Sequence, residues 1–310
     1  MPGPRRRWAF YALAAAILLV LPLAYLLLLG RPQPIAPAPP EPAGARAPEP
    51  EKKREVRIAQ VDGNVEVKRP DGTWARAAVG DVLSGANAVR TLDGAAAVLA
   101  SGEAWDVRME PGTEVSVDEL TDSISRILLS NGMATATVHG GPRHSFEVRN
   151  AGSDAIARTS AGSFAISNNG AGTVAVGTRD GEVELSGSEK VVIVRAGQQS
   201  IVRPGQGPSA PTAVPSSLLL KVKWPQKSIL TRRKLVVAGE TEPGAQVEVA
   251  GRVVRTGKDG RFAQEIKLTE GTNRIDVRAV TVGGARAKSD ADLQVDTRDP
   301  TIGIDRNLWK

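Results

Sequence analysis

The sequence predicts an all-β ectodomain behind one N-terminal transmembrane helix, and three observations carry that reading. Short runs alternate apolar and polar residues, as in Val65-Glu66-Val67-Lys68, Val183-Glu184-Leu185 and Val247-Glu248-Val249, which is the period of a half-buried strand. Asp-Gly and Asn-Gly pairs punctuate the runs at Asp62-Gly63, Asp71-Gly72, Asp93-Gly94, Asn131-Gly132, Asp180-Gly181 and Asp259-Gly260. These residues tolerate the positive φ of tight two-residue turns, so each pair predicts a hairpin. Beyond residue 30 no stretch repeats apolar residues at i, i+3, i+4 and i+7, so no amphipathic helix is predicted there.

At the N-terminus, Arg5, Arg6 and Arg7 precede an uncharged apolar run from Trp8 to Leu29. About 20 apolar residues cross the hydrocarbon core of a bilayer, whereas a cleaved export signal has an apolar region of roughly 7 to 15. The segment 8–30 therefore reads as an uncleaved anchor, with a long cleaved signal as the alternative. Arg31 alone flanks the far side, so the positive-inside rule leaves 1–7 as a short cytoplasmic tail and the bulk of the chain periplasmic, behind the inner membrane. The chain has no cysteine, hence no thiol for lipid attachment and no disulfide; its domains are expected to hold together through their cores.

Residues 31–55 contain eight prolines and little that is apolar. Such a segment favours extended polyproline geometry, with a reach of roughly 75 Å at about 3.1 Å per residue. A second Pro-rich linker without charge, 205–217, divides the remainder into domains at 56–204 and 218–299, followed by a tail at 300–310.

In the first domain, Val61-Asp62-Gly63-Asn64-Val65-Glu66-Val67, Trp74, Gly80-Asp81-Val82-Leu83, Val89-Arg90-Thr91, Ala97-Val98-Leu99 with Ser101-Gly102, and Met109-Pro111-Thr113-Val115 follow one another. Later come Phe146-Glu147-Val148, Ala157-Arg158-Thr159, Gly162-Ser163-Phe164-Ala165-Ile166, Gly181-Glu182-Val183-Glu184-Leu185 and Ala196-Gly197-Gln198. In that order these motifs resemble the FecR-type periplasmic domain, although Arg158-Thr159-Ser160-Ala161-Gly162 departs from the tighter Arg-Gly-Thr spacing usual there. Independently, the segment echoes itself: Asp62-Gly63-Asn64-Val65-Glu66-Val67 is similar to Asp180-Gly181-Glu182-Val183-Glu184-Leu185, and Gly80 and Gly197 each follow to open another short strand. Two related β units, or chance in a β-rich chain, account for this.

The second domain resembles a bacterial Ig-like β-sandwich in Val236-Val237-Ala238-Gly239-Glu240-Thr241-Glu242-Pro243-Gly244-Ala245, Val247-Glu248-Val249, Asp259-Gly260-Arg261-Phe262 and Leu268-Thr269-Glu270-Gly271-Thr272-Asn273-Arg274-Ile275. Alternation points Val237, Val247, Val249, Val254, Phe262, Ile266, Leu268, Ile275, Val277 and Ala279 inward.

Residues that carry chemistry are sparse. His139 and His144 are the only histidines, short of the three or four ligands of a zinc site. There is no Gly-x-Ser-x-Gly elbow and no histidine beside a candidate nucleophile, so acyl transfer has no support. Gly170-Ala171-Gly172-Thr173-Val174-Ala175 fits a loose dinucleotide pattern but is followed by a β run, and reads as a glycine-rich turn. Trp74 and Trp105 read as core residues before ligand platforms. No enzyme activity, cofactor or metal is expected.

Charge is uneven. Residues 56–205 hold 14 Lys and Arg against 18 Asp and Glu, a net of −4; residues 216–310 hold 18 against 12, a net of +6. Arg232, Arg233, Lys234, Arg252, Arg255, Lys258 and Arg261 are expected to gather near one hairpin end, as a docking surface for an anionic partner or as a solvated basic face. Leu308 and Trp309 in the tail form a candidate docking peptide. The FecR-type resemblance implies a sensor that controls a sigma factor through a cytoplasmic effector, but 1–7 is too short to be one. The leading expectation is a non-enzymatic, membrane-tethered periplasmic interaction or scaffold protein whose partners are an envelope protein and peptidoglycan or another anionic polymer, with no nucleic acid. The alternatives are a subunit of a transmembrane signalling system and a cell-envelope polysaccharide binder.

Overall fold

The computed structural model describes residues 55–83, 87–140, 144–226 and 229–298. The expected anchor at 8–30, nearly all of the 31–55 spacer and the tail with Leu308 and Trp309 lie outside the described residues. Every helix or strand assigned among the described residues is a strand, as the alternating pattern predicts. No helix among them is long and apolar enough to cross a membrane.

The first domain contains β1 (Val56–Asp62), β2 (Val65–Lys68), β3 (Trp74–Arg76), β4 (Val82–Leu83), β5 (Ala88–Thr91), β6 (Ala96–Ser101), β7 (Trp105–Met109) and β8 (Glu114–Leu120). It continues with β9 (Ile124–Val138), β10 (Ser145–Asn150), β11 (Ile156–Thr159), β12 (Gly162–Asn168), β13 (Val174–Gly187), β14 (Lys190–Arg195) and β15 (Gln198–Val202), and β16 (Thr212–Ala213) of the following segment adds to the same sheet. These strands form one 16-stranded hydrogen-bonded sheet that doubles over on itself. One layer runs β4-β1-β6-β7-β9-β12-β13-β15-β16 and is antiparallel throughout. The other runs β3-β2-β5-β8-β9-β10-β11-β13-β14, parallel only between β9 and β10. The long strands β9 and β13 belong to both layers. Between the layers lies a single core, in which the rings of Trp105, Phe146 and Phe164 pack in sequence, tilted to one another, at separations of 5.1 and 6.4 Å.

The Asp-Gly and Asn-Gly pairs correct one expectation. All six glycines have positive φ, from +68° to +94°, but only Asp71-Gly72 closes a hairpin, between β2 and β3. At Asp62-Gly63 and Asp93-Gly94 the chain passes from one layer to the other, and at Asn131-Gly132 and Asp180-Gly181 a strand bends between layers without ending. Asp259-Gly260 joins two strands that do not pair with each other. A left-handed residue re-aims a strand as a bulge does, so the same dipeptide makes a corner when the flanking segments have different partners. The corners are crowded: a Cβ on Gly132 would lie 2.5 Å from Thr113 Cα, and one on Gly181 2.9 Å from the Ala161 carbonyl oxygen.

The sequence echo has a topological counterpart. β1–β2 and β13 each change layer at their Asp-Gly pair, return through β3 or β14 in the second layer, and close in the first layer with β4 or β15. Glu66 and Glu184 occupy matching positions and face Arg90 and Arg158, each in an Arg-Thr pair on the neighbouring strand.

The second domain comprises β17 (Leu220–Lys223), β18 (Ile229–Leu230), β19 (Lys234–Thr241), β20 (Gln246–Val249), β21 (Arg252–Val254), β22 (Arg261–Lys267), β23 (Gly271–Val280) and β24 (Arg286–Val295). A three-stranded sheet β17-β19-β22 and a five-stranded sheet β18-β24-β23-β20-β21 enclose a core containing all ten residues that alternation points inward. The intervening segment 205–217 runs along β15. Ser209 donates its backbone N–H to the Ile201 carbonyl, Val214 donates to that of Gly197, and β16 pairs with Gln198 and Gln199.

Candidate functional site

Both domains belong to one compact unit, joined along a seam on the outer face of the first layer. Small residues make that face approachable: Ala165 on β12 and Ala175 and Gly177 on β13 present little bulk. A Cβ on Gly177 would lie 2.9 Å from the Val282 carbonyl group, and one on Gly244 would lie 2.6 Å from Ala175 Cβ. Met133, Ala165, Ala175 and Val282 are buried together, with Ile201 and Val280 against them. Four hydrogen bonds flank this apolar patch. Ser167 Oγ donates to the Gly244 carbonyl (2.7 Å), Asn169 Nδ2 to that of Thr256 (2.9 Å) and Gln246 Nε2 to that of Pro111 (2.8 Å), while the Val253 N–H donates to Asp93 Oδ1 (3.0 Å). The turn at Gly170–Thr173, singled out in the sequence as glycine-rich, is braced by Asn169 Oδ1, which accepts the N–H groups of Ala171 and Thr173. That bracing holds Asn169 where it reaches the second domain.

Gln246 lines two clefts along the seam. The smaller, about 340 Å³, includes Asp93, Asn131, Asn169 and Arg255. The larger, about 460 Å³, draws Glu110, Met133 and Arg179 from the first domain and Glu248, Arg278, Arg286 and Lys288 from the second. Burial pushes the Glu248 carboxyl above the usual carboxylate range against the pull of Arg278, and Asp276, Asp93 and Glu110 add to the rise.

A charge ladder crosses the second layer through Glu119, Arg126, Glu147, Arg158 and Glu184, which sit opposite one another on successive strands. Glu147 is 2% exposed and accepts from Arg126 Nε and Arg158 Nε, both at 2.8 Å; Arg126 also pairs with Glu119. Burial alone would raise the Glu147 carboxyl, but the Arg126 hydrogen bond and the Arg158 charge together hold it below its ordinary value. The alternation left this ladder unread because its pairing depends on strand order.

The seven basic residues do not gather at one end. Glu240 faces Arg261 and Lys234 faces Lys267 in the β19–β22 pair, which separates Lys234 from Arg261 by about 20 Å at the usual strand rise. Arg233 pairs with Glu270, Lys234 with Glu265 and Arg261 with Asp259. Arg252, Arg255 and Lys258 lie on β21 and the turn after it, and Arg255 lines the smaller cleft. The reason is topological: Lys234 and Arg261 stand at opposite ends of the antiparallel β19–β22 pair, and Arg252 lies on β21, which pairs with β20 in the other sheet.

Trp105 is 1% exposed, in the core, while Trp74 is half-buried with the Arg90 guanidinium 4.0 Å from its ring centre. His139 Nε2 lies 3.2 Å from Asp106 Oδ2, and His144 Nδ1 lies 3.1 Å from the Asp122 carbonyl oxygen. Among the described residues no three His, Cys, Asp or Glu side chains converge as a metal site.

No family model matches the chain. No curated protein matches it either. Parts of the chain are similar to solved structures. A candidate anti-sigma factor from Parabacteroides distasonis shares 21% identity over 41% of this chain and 59% of its own, at a TM-score of 0.36. Fibronectin(III)-like modules of CbhA from Clostridium thermocellum share 14% over 61% of this chain and 98% of theirs, at 0.23. A candidate membrane-anchored protein from Corynebacterium diphtheriae shares 12% over 81% and 61%, at 0.24. The chain thus spans 59% of the Parabacteroides protein's length, and scores of this size leave the functional reading to the geometry.

Proposed function

We propose that this protein is a non-enzymatic interaction module tethered to the inner membrane by residues 8–30, with a FecR-type domain at 56–204 and an Ig-like sandwich at 218–299 on the periplasmic side. The observation that supports this best is the unpaired edge of β22. Among the described residues β22 pairs as a strand with β19 alone; the turn before it engages Arg261 and the Gln264 side chain caps the Glu265 carbonyl, but the backbone at Ala263 stays open to an added strand. The edge is not isolated on a swinging domain, because the seam joins the sandwich to the first domain. An envelope protein that adds a strand at β22 is the proposed partner, with an anionic envelope polymer attracted by the basic second domain.

Photo-cross-linking in intact cells tests this, with a benzophenone side chain at exposed Ala263 on β22 and a control at Gly72 on the first domain's hairpin. Capture of one envelope protein from Ala263 alone is the expected result; equal capture from both positions, or none, overturns it. The FecR-type resemblance favours a second reading, a subunit of a sigma-factor-regulating system that passes a signal through its anchor. Replacing 8–30 with an unrelated transmembrane helix separates the two, since unchanged function excludes signalling through that helix.

A further inference from the structure

We propose that the larger cleft of the seam binds a small organic carboxylate that carries a neighbouring hydroxyl or amide N–H. Two buried side chains at the cleft each carry a polar atom without a partner. Gln246 is 9% exposed and Thr281 is 6% exposed, both line the cleft, and Gln246 Oε1 and Thr281 Oγ1 have no hydrogen-bond partner among the described residues. The Gln246 amide cannot be turned round to relieve this: Pro111 offers only a carbonyl, so Nε2 must face it, which leaves Oε1 as an acceptor without a donor. Thr281 is held by a tight turn, with its N–H donated to the Ala285 carbonyl and its own carbonyl accepting from Gly284. A buried polar atom left unpaired is destabilising, and a ligand hydroxyl or amide that reaches Gln246 Oε1 or Thr281 Oγ1 would relieve it.

The charges select the other half of the ligand. Arg278 is paired with Asp276 at 2.8 Å and Lys288 lies 3.8 Å from Asp290, but Arg179 and Arg286 have no carboxylate partner among the described residues. A free guanidinium presents a planar fork of donors that matches a carboxylate. Glu110 and Glu248 line the same cleft, and their charge disfavours a multiply charged phosphate over a single carboxylate. Met133, Val280 and Val282 supply apolar wall for a carbon skeleton. A volume of about 460 Å³ falls in the range of small-molecule sites. Each domain contributes one free arginine, so the site exists only while the seam is closed.

The test is calorimetric titration of the full chain in detergent with glucuronate, N-acetylmuramate, glucose and inorganic phosphate. We expect at least one of the two acids to bind, and glucose and phosphate to bind at least tenfold more weakly. The R179Q/R286Q variant is expected to lose about tenfold in affinity. Thr281→Val is expected to lose several-fold without lowering the melting temperature, because an apolar isostere removes the unpaired hydroxyl. Absence of binding by either acid up to about 10 mM, equal binding of phosphate or glucose, or an unchanged affinity in R179Q/R286Q overturns the proposal. Sedimentation of the chain with cell-wall sacculi, competed by the free acid, identifies a polymer group as the source of the carboxylate; binding of the acid without sedimentation identifies a free solute.

Discussion

Ser167 and Gly244 stand 77 positions apart, and a buried 2.7 Å hydrogen bond from the serine hydroxyl to the glycine carbonyl joins the two domains. It sits beside the contact of Gly244 with Ala175, so the polar and apolar parts of the seam reinforce each other at one place.

The seam is predicted to make the two domains unfold together. Ser167→Ala is expected to cost about 1–2 kcal/mol, because it leaves a buried carbonyl unpaired. Gly177→Leu places a side chain against the backbone of Val282 and is expected to separate the domains. Scanning calorimetry checks both: a single transition in the native chain and in S167A, and two in G177L, with a larger radius of gyration in solution scattering.

The corner glycines are predicted to be unequal. Gly132→Ala combines a left-handed backbone with overlap against Thr113 backbone, and is expected to cost about 3 kcal/mol or more. Gly72 has φ +85° but nothing within 4 Å of its missing Cβ, so Gly72→Ala carries backbone strain alone, about 1 kcal/mol. Urea denaturation of the pair measures the difference.

Glu147 makes stability pH-dependent in a defined direction. Its folded value lies below the ordinary one, near 4.3 for a free glutamate. Its contribution is therefore present in full above that ordinary value and is lost as pH falls through the depressed folded value. Glu147→Gln is expected to lower stability by about 3 kcal/mol at neutral pH, since Arg126 loses a charged partner at a largely buried site. It should also flatten the fall in melting temperature below about pH 4. An unchanged acid limb in E147Q would falsify this assignment.

The two basic groups are predicted to act independently. Their ends of the β19–β22 pair are about 20 Å apart, beyond the screening length of about 8 Å at physiological ionic strength. R232E/R233E/K234E and R252E/K258E/R261E should each weaken binding to an anionic polymer in a salt-sensitive way, with losses that add in the combined variant. Co-sedimentation with heparin beads at low and high salt measures this, and strong non-additivity would point to a single patch.

Much of the second domain was legible because alternation alone decides which side of a strand is apolar; Val247, Val249, Val277 and the seven other inward residues are all in the core. The Asp-Gly pairs were legible only in part. Local chemistry requires positive φ at Gly63 and Gly181 as at Gly72, but whether the chain then doubles back depends on which strands flank it. The candidate site was not legible. Gln246 and Thr281 read as ordinary strand and turn residues, and no local signal brings Arg179 and Arg286, more than a hundred positions apart, to one cleft.

By itself the sequence determined the class of structure, the inward faces, the left-handed positions and the charge difference between domains, because these follow from side-chain period, steric limits on φ and residue counts. Only the tertiary structure decided that the strands fold over into two layers, that Glu147 lies between two arginines, that the basic residues divide between two sheets, and that the domains lock along one face. Those outcomes rest on strand order and on the close approach of small residues such as Gly177 and Gly244, which link distant parts of the chain and leave no periodic trace in it.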